Sequence, residues 1–126
     1  MISVTKFFSF SASHRLPHHG GQCKKLHGHN YKLEVTVSGP INDEGPSQGM
    51  IVDFQELDTI VNDRIIGHYD HSHLNDYLSN PTAEEMVEEF RKLLTAALIH
   101  RKVELTNIKL WETEKCYAEW KNTQFV

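Results

Sequence analysis

From Tyr31 to Ser38 the chain alternates at every step. Tyr31, Leu33, Val35 and Val37 are apolar, and Lys32, Glu34, Thr36 and Ser38 are polar. That two-residue period is the signature of a half-buried β-strand, and one face of it must find a core. His27 and His29 stand directly upstream in the same phase as Tyr31. Side chains two apart on a strand share a side, so the two imidazoles can aim at one point. A second strand reads over residues 2–12, with Val4, Phe8 and Phe10 on one side and His14 at its end. Nothing helical separates the two runs, so they are expected to pair antiparallel. The end of the first strand then lies beside the start of the second, and His14, His27 and His29 meet at one rim of the sheet.

Three neutral imidazoles converging in this way describe a metal site. Three nitrogen ligands and an open fourth position suit a catalytic zinc better than a structural one. The ligand type favours Zn2+, with iron and nickel compatible. Histidine is the outlier of the composition: the chain has nine, and all but His100 lie between His14 and His73. His18 and His19 flank the candidate site on a loop. Cys23, four residues before His27, admits two roles. As a fourth ligand it closes the site; as a base or nucleophile it leaves the metal open, and zinc with Lys24 or Lys25 nearby lowers a thiol pKa. Cys116 reads as a small packed residue. Asp70-His71 is a second candidate pair on a polar connection. Glu112 falls at an inward-facing strand position, where a carboxylate needs a donor-rich partner. A flat heterocycle presenting two adjacent N–H groups suits it.

Downstream of Gly39-Pro40 lies a loop over 39–49. A helix is expected from Asp53, which caps the amide three positions on with Glu56 completing the pair, to a closing Gly67. Phe54, Leu57, Val61 and Ile65 form its apolar side. A better helix opens at Thr82, with Glu85 as its capping-box partner and an apolar stripe from Met86 to Leu98. Strands over 104–113 and 115–121 complete an order β-β-α-α-β-β. Four antiparallel strands with two helices on one face make an α+β fold with free edges and a bare face. Assembly into a closed ring of subunits removes both exposures.

At 126 residues the length fits one domain, 1–126. The formal net charge is −4 and there is no basic tract, which argues against nucleic acid and anionic membrane as partners. No apolar run is long enough to cross a bilayer. The start lacks a signal-peptide pattern and the two cysteines form no C-x-x-C motif, so the expected setting is the reduced cytoplasm.

Several segments together carry a family resemblance. They are Phe10-Ser-Ala12-Ser-His14-Arg15-Leu16, Cys23-x-x-x-His27-Gly28-His29-Asn30-Tyr31, Gly49-Met-Ile-Val-Asp53-Phe54, Asp70-His71-x-x-Leu74-Asn75-Asp76, Asn80-Pro81-Thr82-x-Glu84 and Glu112-Thr113. In this order they resemble the 6-pyruvoyl-tetrahydropterin synthase family, and within it the 6-carboxy-5,6,7,8-tetrahydropterin synthases of queuosine biosynthesis. The resemblance implies the tunnelling fold, in which ββααββ subunits form trimeric barrels and two trimers stack as a homohexamer. It implies His14, His27 and His29 as zinc ligands, and Cys23 as proton acceptor. It also implies His71 with Asp70 as the relay, and Glu112 as pterin anchor and relay member. Sites in the family lie between subunits, so the resemblance allows His71 to serve either its own or a neighbouring chain's Cys23. The implied substrate is 7,8-dihydroneopterin triphosphate, with Arg15, Lys24 and Lys25 as candidates to meet its phosphates. The implied products are triphosphate, acetaldehyde and 6-carboxy-5,6,7,8-tetrahydropterin. The sister activity keeps the carbons and gives the 6-pyruvoyl product. A reading of another class is a non-catalytic protein whose zinc is closed off by Cys23.

Overall fold

A computed structural model describes residues 1–125. Two long strands, β1 (Ile2–His14) and β2 (His27–Gly39), pair antiparallel along their whole length. The pairing register places Phe10 opposite Tyr31 and His14 opposite His27. Phe10 and Tyr31 stack with ring centroids 4.9 Å apart. A short strand, β3 (Ser72–His73), joins the outer edge of β1 in parallel. β4 (Glu104–Thr113) pairs with the other side of β2, and β5 (Cys116–Lys121) pairs with β4. The sheet runs β3-β1-β2-β4-β5. It therefore has five strands rather than the four expected, and β3 is the addition. Two residues are too short a run to show a period, which is why the sequence hides it.

One face of the sheet is closed by helices. α1 (Phe54–Val61) turns Leu57, Ile60 and Val61 inward, and α3 (Ala83–Leu98) does the same with Met86, Val87, Phe90, Leu94 and Leu98. They pack on Phe8, Phe10, Ala12, Tyr31, Leu33, Val35, Val37, Ile108 and Leu110. Thr82 caps α3 as expected, its hydroxyl accepting from the Glu85 amide at 3.1 Å. The start of α1 differs in detail. Asp53 accepts from the Gln55 amide at 2.8 Å, while Glu56 turns away to pair with Arg101 at 3.0 Å. Phe54, expected on the buried side, lies exposed in the first turn.

Gly67 does not end the helix. α1 passes through a π-helical turn, Asn62–Ile66, and continues as α2 (Gly67–Tyr69), where Asp70 adopts an extended backbone. The opposite face of the sheet is bare. Phe7 is exposed there, with the Lys32 ammonium 4.7 Å from its ring centroid.

β4 carries two irregularities. The register against β2 slips between Thr36 and Val37, leaving Thr106 as an extra residue on β4. The register against β5 slips between Trp111 and Thr113, so Glu112 is a bulged residue. A bulge re-aims the side chain it carries.

Candidate metal centre and its surroundings

The buried phase of the β1–β2 pair runs from hydrophobic core into imidazole without changing face. Ala12 is followed by His14 on β1, and Tyr31 is preceded by His29 and His27 on β2. The three imidazoles therefore sit at the end of the core, with His14 against Pro81 just before α3. His14 has no solvent exposure. The ring centroids of the three histidines lie 4.6, 5.0 and 5.2 Å apart. One nitrogen from each falls within 4.8 Å of the others.

Backbone carbonyls settle which nitrogens carry protons. His14 Nδ1 is 2.8 Å from the Pro81 carbonyl oxygen, and His27 Nδ1 is 2.7 Å from that of Lys25. A carbonyl only accepts, so both Nδ1 atoms donate and both Nε2 atoms of the neutral rings present lone pairs. Those two Nε2 atoms are 3.0 Å apart. Two lone pairs at that distance repel unless a cation lies between them. Ligands sharing a tetrahedral zinc at about 2.0–2.1 Å stand roughly 3.3 Å apart, so the spacing fits an ion. His29 Nε2 adds a second sign, because it is buried without a hydrogen-bond partner. Burial holds the His14 pKa below the ordinary histidine value despite the Pro81 contact. His29 is held down likewise, with Glu112 opposing. Burial therefore favours the neutral form of His14 and His29, the form that binds metal. The donor set thus fits a divalent cation of the zinc type.

Other groups frame this centre. Glu112 Oε1 lies 3.5 Å from His29 Nε2, and the bulge explains how a residue near a strand end turns so far inward. Glu112 also lines a cavity of about 270 Å³ with Ala83, Glu84, Cys116, Tyr117 and Ala118. Cys116 is exposed there rather than packed, its Sγ 3.2 Å from the Thr113 hydroxyl. A two-residue turn brings β5 back immediately after Thr113, which leaves no core for that thiol. Tyr31 is buried with its hydroxyl 3.4 Å from His14 Nδ1. Its pKa is pushed far up by burial and by Glu112, so it stays a neutral phenol. Tyr31 and the carbonyls of Lys25 and Pro81 were not among the sequence candidates. Backbone oxygens leave no trace in residue identity, although Tyr31 and Pro81 both lie inside the family motifs.

Cys23 is half-buried in a 3-10 turn, Gln22–Lys24, of the connecting loop. Its carbonyl accepts from the Leu16 amide at 2.8 Å, pinching the base of that loop. Among the described residues the metal-competent cluster holds three histidines and no cysteine. His19 makes a local contact, accepting from the Gly21 amide at 2.9 Å. Asp70 and His71 sit on the far edge of β1. Asp70 Oδ1 accepts from the Ser11 amide at 2.9 Å and is 3.1 Å from His71 Nδ1. The Ser11 N–H, then His71, holds the Asp70 carboxyl below its usual range. The His71 ring is exposed and lines an open groove of about 420 Å³ with Ser11, Ser13, His29 and Asn30. Asn75 grips Arg15 from both sides, accepting from its amide and donating to its carbonyl, each at 2.9 Å.

The sequence profile of 6-pyruvoyl tetrahydropterin synthase matches residues 3–123. The chain belongs to that family. Among curated relatives, the 6-carboxy-5,6,7,8-tetrahydropterin synthase of Haemophilus influenzae is 30% identical over 139 aligned positions, covering 95% of this chain and 99% of the relative. That of Synechocystis is 42% identical over 87 positions, covering 67% of each. The 6-pyruvoyl tetrahydropterin synthase of Caenorhabditis elegans superposes with a TM-score of 0.82 at 24% identity, over 96% of this chain and 95% of that one. The α+β arrangement of sheet and helices is thus the tunnelling fold of the 6-pyruvoyl tetrahydropterin synthase family.

Proposed function

We propose that residues 1–126 form one domain of a zinc-dependent lyase. It converts 7,8-dihydroneopterin triphosphate and water to 6-carboxy-5,6,7,8-tetrahydropterin, triphosphate and acetaldehyde. The observation that carries the metal part is the face-to-face approach of the His14 and His27 Nε2 atoms at 3.0 Å. The relatives named for the 6-carboxy product support the choice of branch. In this reading His14, His27 and His29 hold the ion, which supplies Lewis acidity to the hydroxyls of the pterin side chain. Glu112 accepts two parallel hydrogen bonds from the pterin ring and fixes its plane. Cys23 takes a proton from the side chain as thiolate, and His71, oriented by Asp70, passes it on. His71 lies on the outer edge of β1, outside the metal-competent cluster, in a groove that His29 also lines. The family resemblance supports a homohexamer built as a dimer of trimers, in which His71 serves the site of its own or of a neighbouring subunit. The pathway is that of queuosine, in the cytoplasm.

The test is incubation of zinc-loaded protein with dihydroneopterin triphosphate, with products identified by mass and acetaldehyde measured by enzymatic reduction. One acetaldehyde per 6-carboxy product is expected. A 6-pyruvoyl product without acetaldehyde assigns the sister activity. Zinc retained with no turnover assigns a closed binding protein.

A further inference from the structure

The π-turn after α1, Asn62–Ile66, ends shortly before the Asp70-His71 pair. Within it the Gly67 amide donates to the Asn62 carbonyl, five residues back. Gly67 itself has an ordinary helical backbone, with φ of −61°. Nothing in its dihedrals calls for glycine, and alanine is ordinarily the better helix residue. The reason lies elsewhere. A Cβ built on Gly67 meets the Asn62 carbonyl oxygen at 2.9 Å. That oxygen bends toward position 67 only because the turn is π-helical. Glycine is therefore what permits the π-turn.

The turn in turn controls where the chain goes next. A π-turn absorbs one extra residue, and such turns recur at functional sites. Restoring α-helical bonding with the same residue count rotates everything downstream by about 100° and shifts it by about 1.5 Å. With the π-turn, Leu57, Ile60 and Val61 before it, Ile65 within it and Tyr69 after it are all buried in the core. The last helical bond, from the Asp70 amide to the Ile66 carbonyl at 2.9 Å, then brings Asp70 against β1. His71 donates its amide to the Ser11 carbonyl at 2.6 Å and holds a left-handed φ of 60°. A non-glycine residue sits in that region only when its surroundings impose it. Here the imposing contacts are the two Ser11 hydrogen bonds.

We propose that Gly67 is a positioning residue for His71. By leaving room for the Asn62 carbonyl it keeps the π-turn, and the π-turn delivers Asp70 and His71 to the edge of β1. This rests on the relay role proposed for His71.

The experiment uses the full chain loaded with zinc. Gly67→Ala is expected to lower the single-turnover rate on dihydroneopterin triphosphate about 100-fold, the scale of a misplacement near 1 Å. Zinc stoichiometry and pterin affinity, which depend on β1, β2 and β4, are expected within twofold. The second variant deletes Asp63, an exposed residue inside the π-turn, in the Gly67→Ala background. That removes the extra residue, returns the segment to α-helix and takes the Asn62 carbonyl away from the new methyl. The rate is expected to recover at least tenfold over Gly67→Ala, which a general loss of folded protein would not reproduce. His71→Ala, measured alongside, separates the two ideas. Loss of rate in His71→Ala with none in Gly67→Ala overturns the positioning role and leaves the relay intact. Failure of the deletion to restore turnover overturns it as well. A native rate in His71→Ala overturns the relay reading itself.

Discussion

His14 is held at both ends of its ring. Its Nδ1 donates to Pro81, and its Nε2 faces that of His27 at 3.0 Å. Such outer partners fix tautomer and orientation and raise ligand basicity. Cys23 stands in contrast, outside the cluster and on a short turn, and the proposed mechanism makes it the base. Cys23→Ala is therefore expected to keep one zinc per chain while kcat falls about 100- to 10,000-fold, the range of a general base. Metal analysis and steady-state kinetics on one preparation check this, and zinc lost together with activity would make the thiol a ligand. The phase of His14, His27 and His29 was legible because a strand has a period of two, so core and ligand positions share one count. Glu112 had the right parity, but its bulge was not legible, since a bulge is a property of two strands together. The carbonyls of Lys25 and Pro81 belong to the backbone, which the sequence does not spell.

At the scale of elements, α3 couples stability to the centre. Thr82 caps its first turn, and the preceding carbonyl, that of Pro81, orients His14. Loss of the cap loosens both. Thr82→Ala is expected to cost about 1 kcal/mol in urea unfolding and to weaken zinc about tenfold by competition with a chelator. Unchanged zinc affinity with lowered stability would show that Pro81 is held by its ring and not by the cap. The capping residues and apolar stripe of α3 were readable because they are local. The strand β3 and the π-turn were not, because each exists only through contacts with β1 or with the body of the helix. Gly67 illustrates the trap: a glycine after an apolar stripe usually marks a C-terminus, yet here the helix continues past it.

For the molecule as a whole, metal-free protein carries two histidines that burial keeps neutral, His14 and His29. Their folded pKa values lie below the ordinary 6.5, so between those values and 6.5 the unfolded chain binds more protons than the folded one. Stability then rises with pH through that window. It is fully present above about pH 6.5 and is lost as pH falls through the folded pKa values. Denaturation with EDTA present is expected to show a lower midpoint at about pH 5.5 than at about pH 7.5, and a flat profile would mean that the rings are not held neutral. The bare sheet face was anticipated from strand order, whereas the expected count of four missed β3, which pairs with the outer edge of β1. What the order did not convey is how the loops at the rim are tied down, as Asn75 ties Arg15.

The β1–β2 register has one further consequence, for synthesis on the ribosome. All three imidazoles lie on a single antiparallel pair, with His14 directly opposite His27. Contacts so close along the chain form early, and domains emerge amino-terminus first. The nascent polypeptide thus holds a complete nitrogen trio before α3 has been translated. An ion captured at that stage would fasten the hairpin while the ring of His14 still waits for Pro81 to choose its proton.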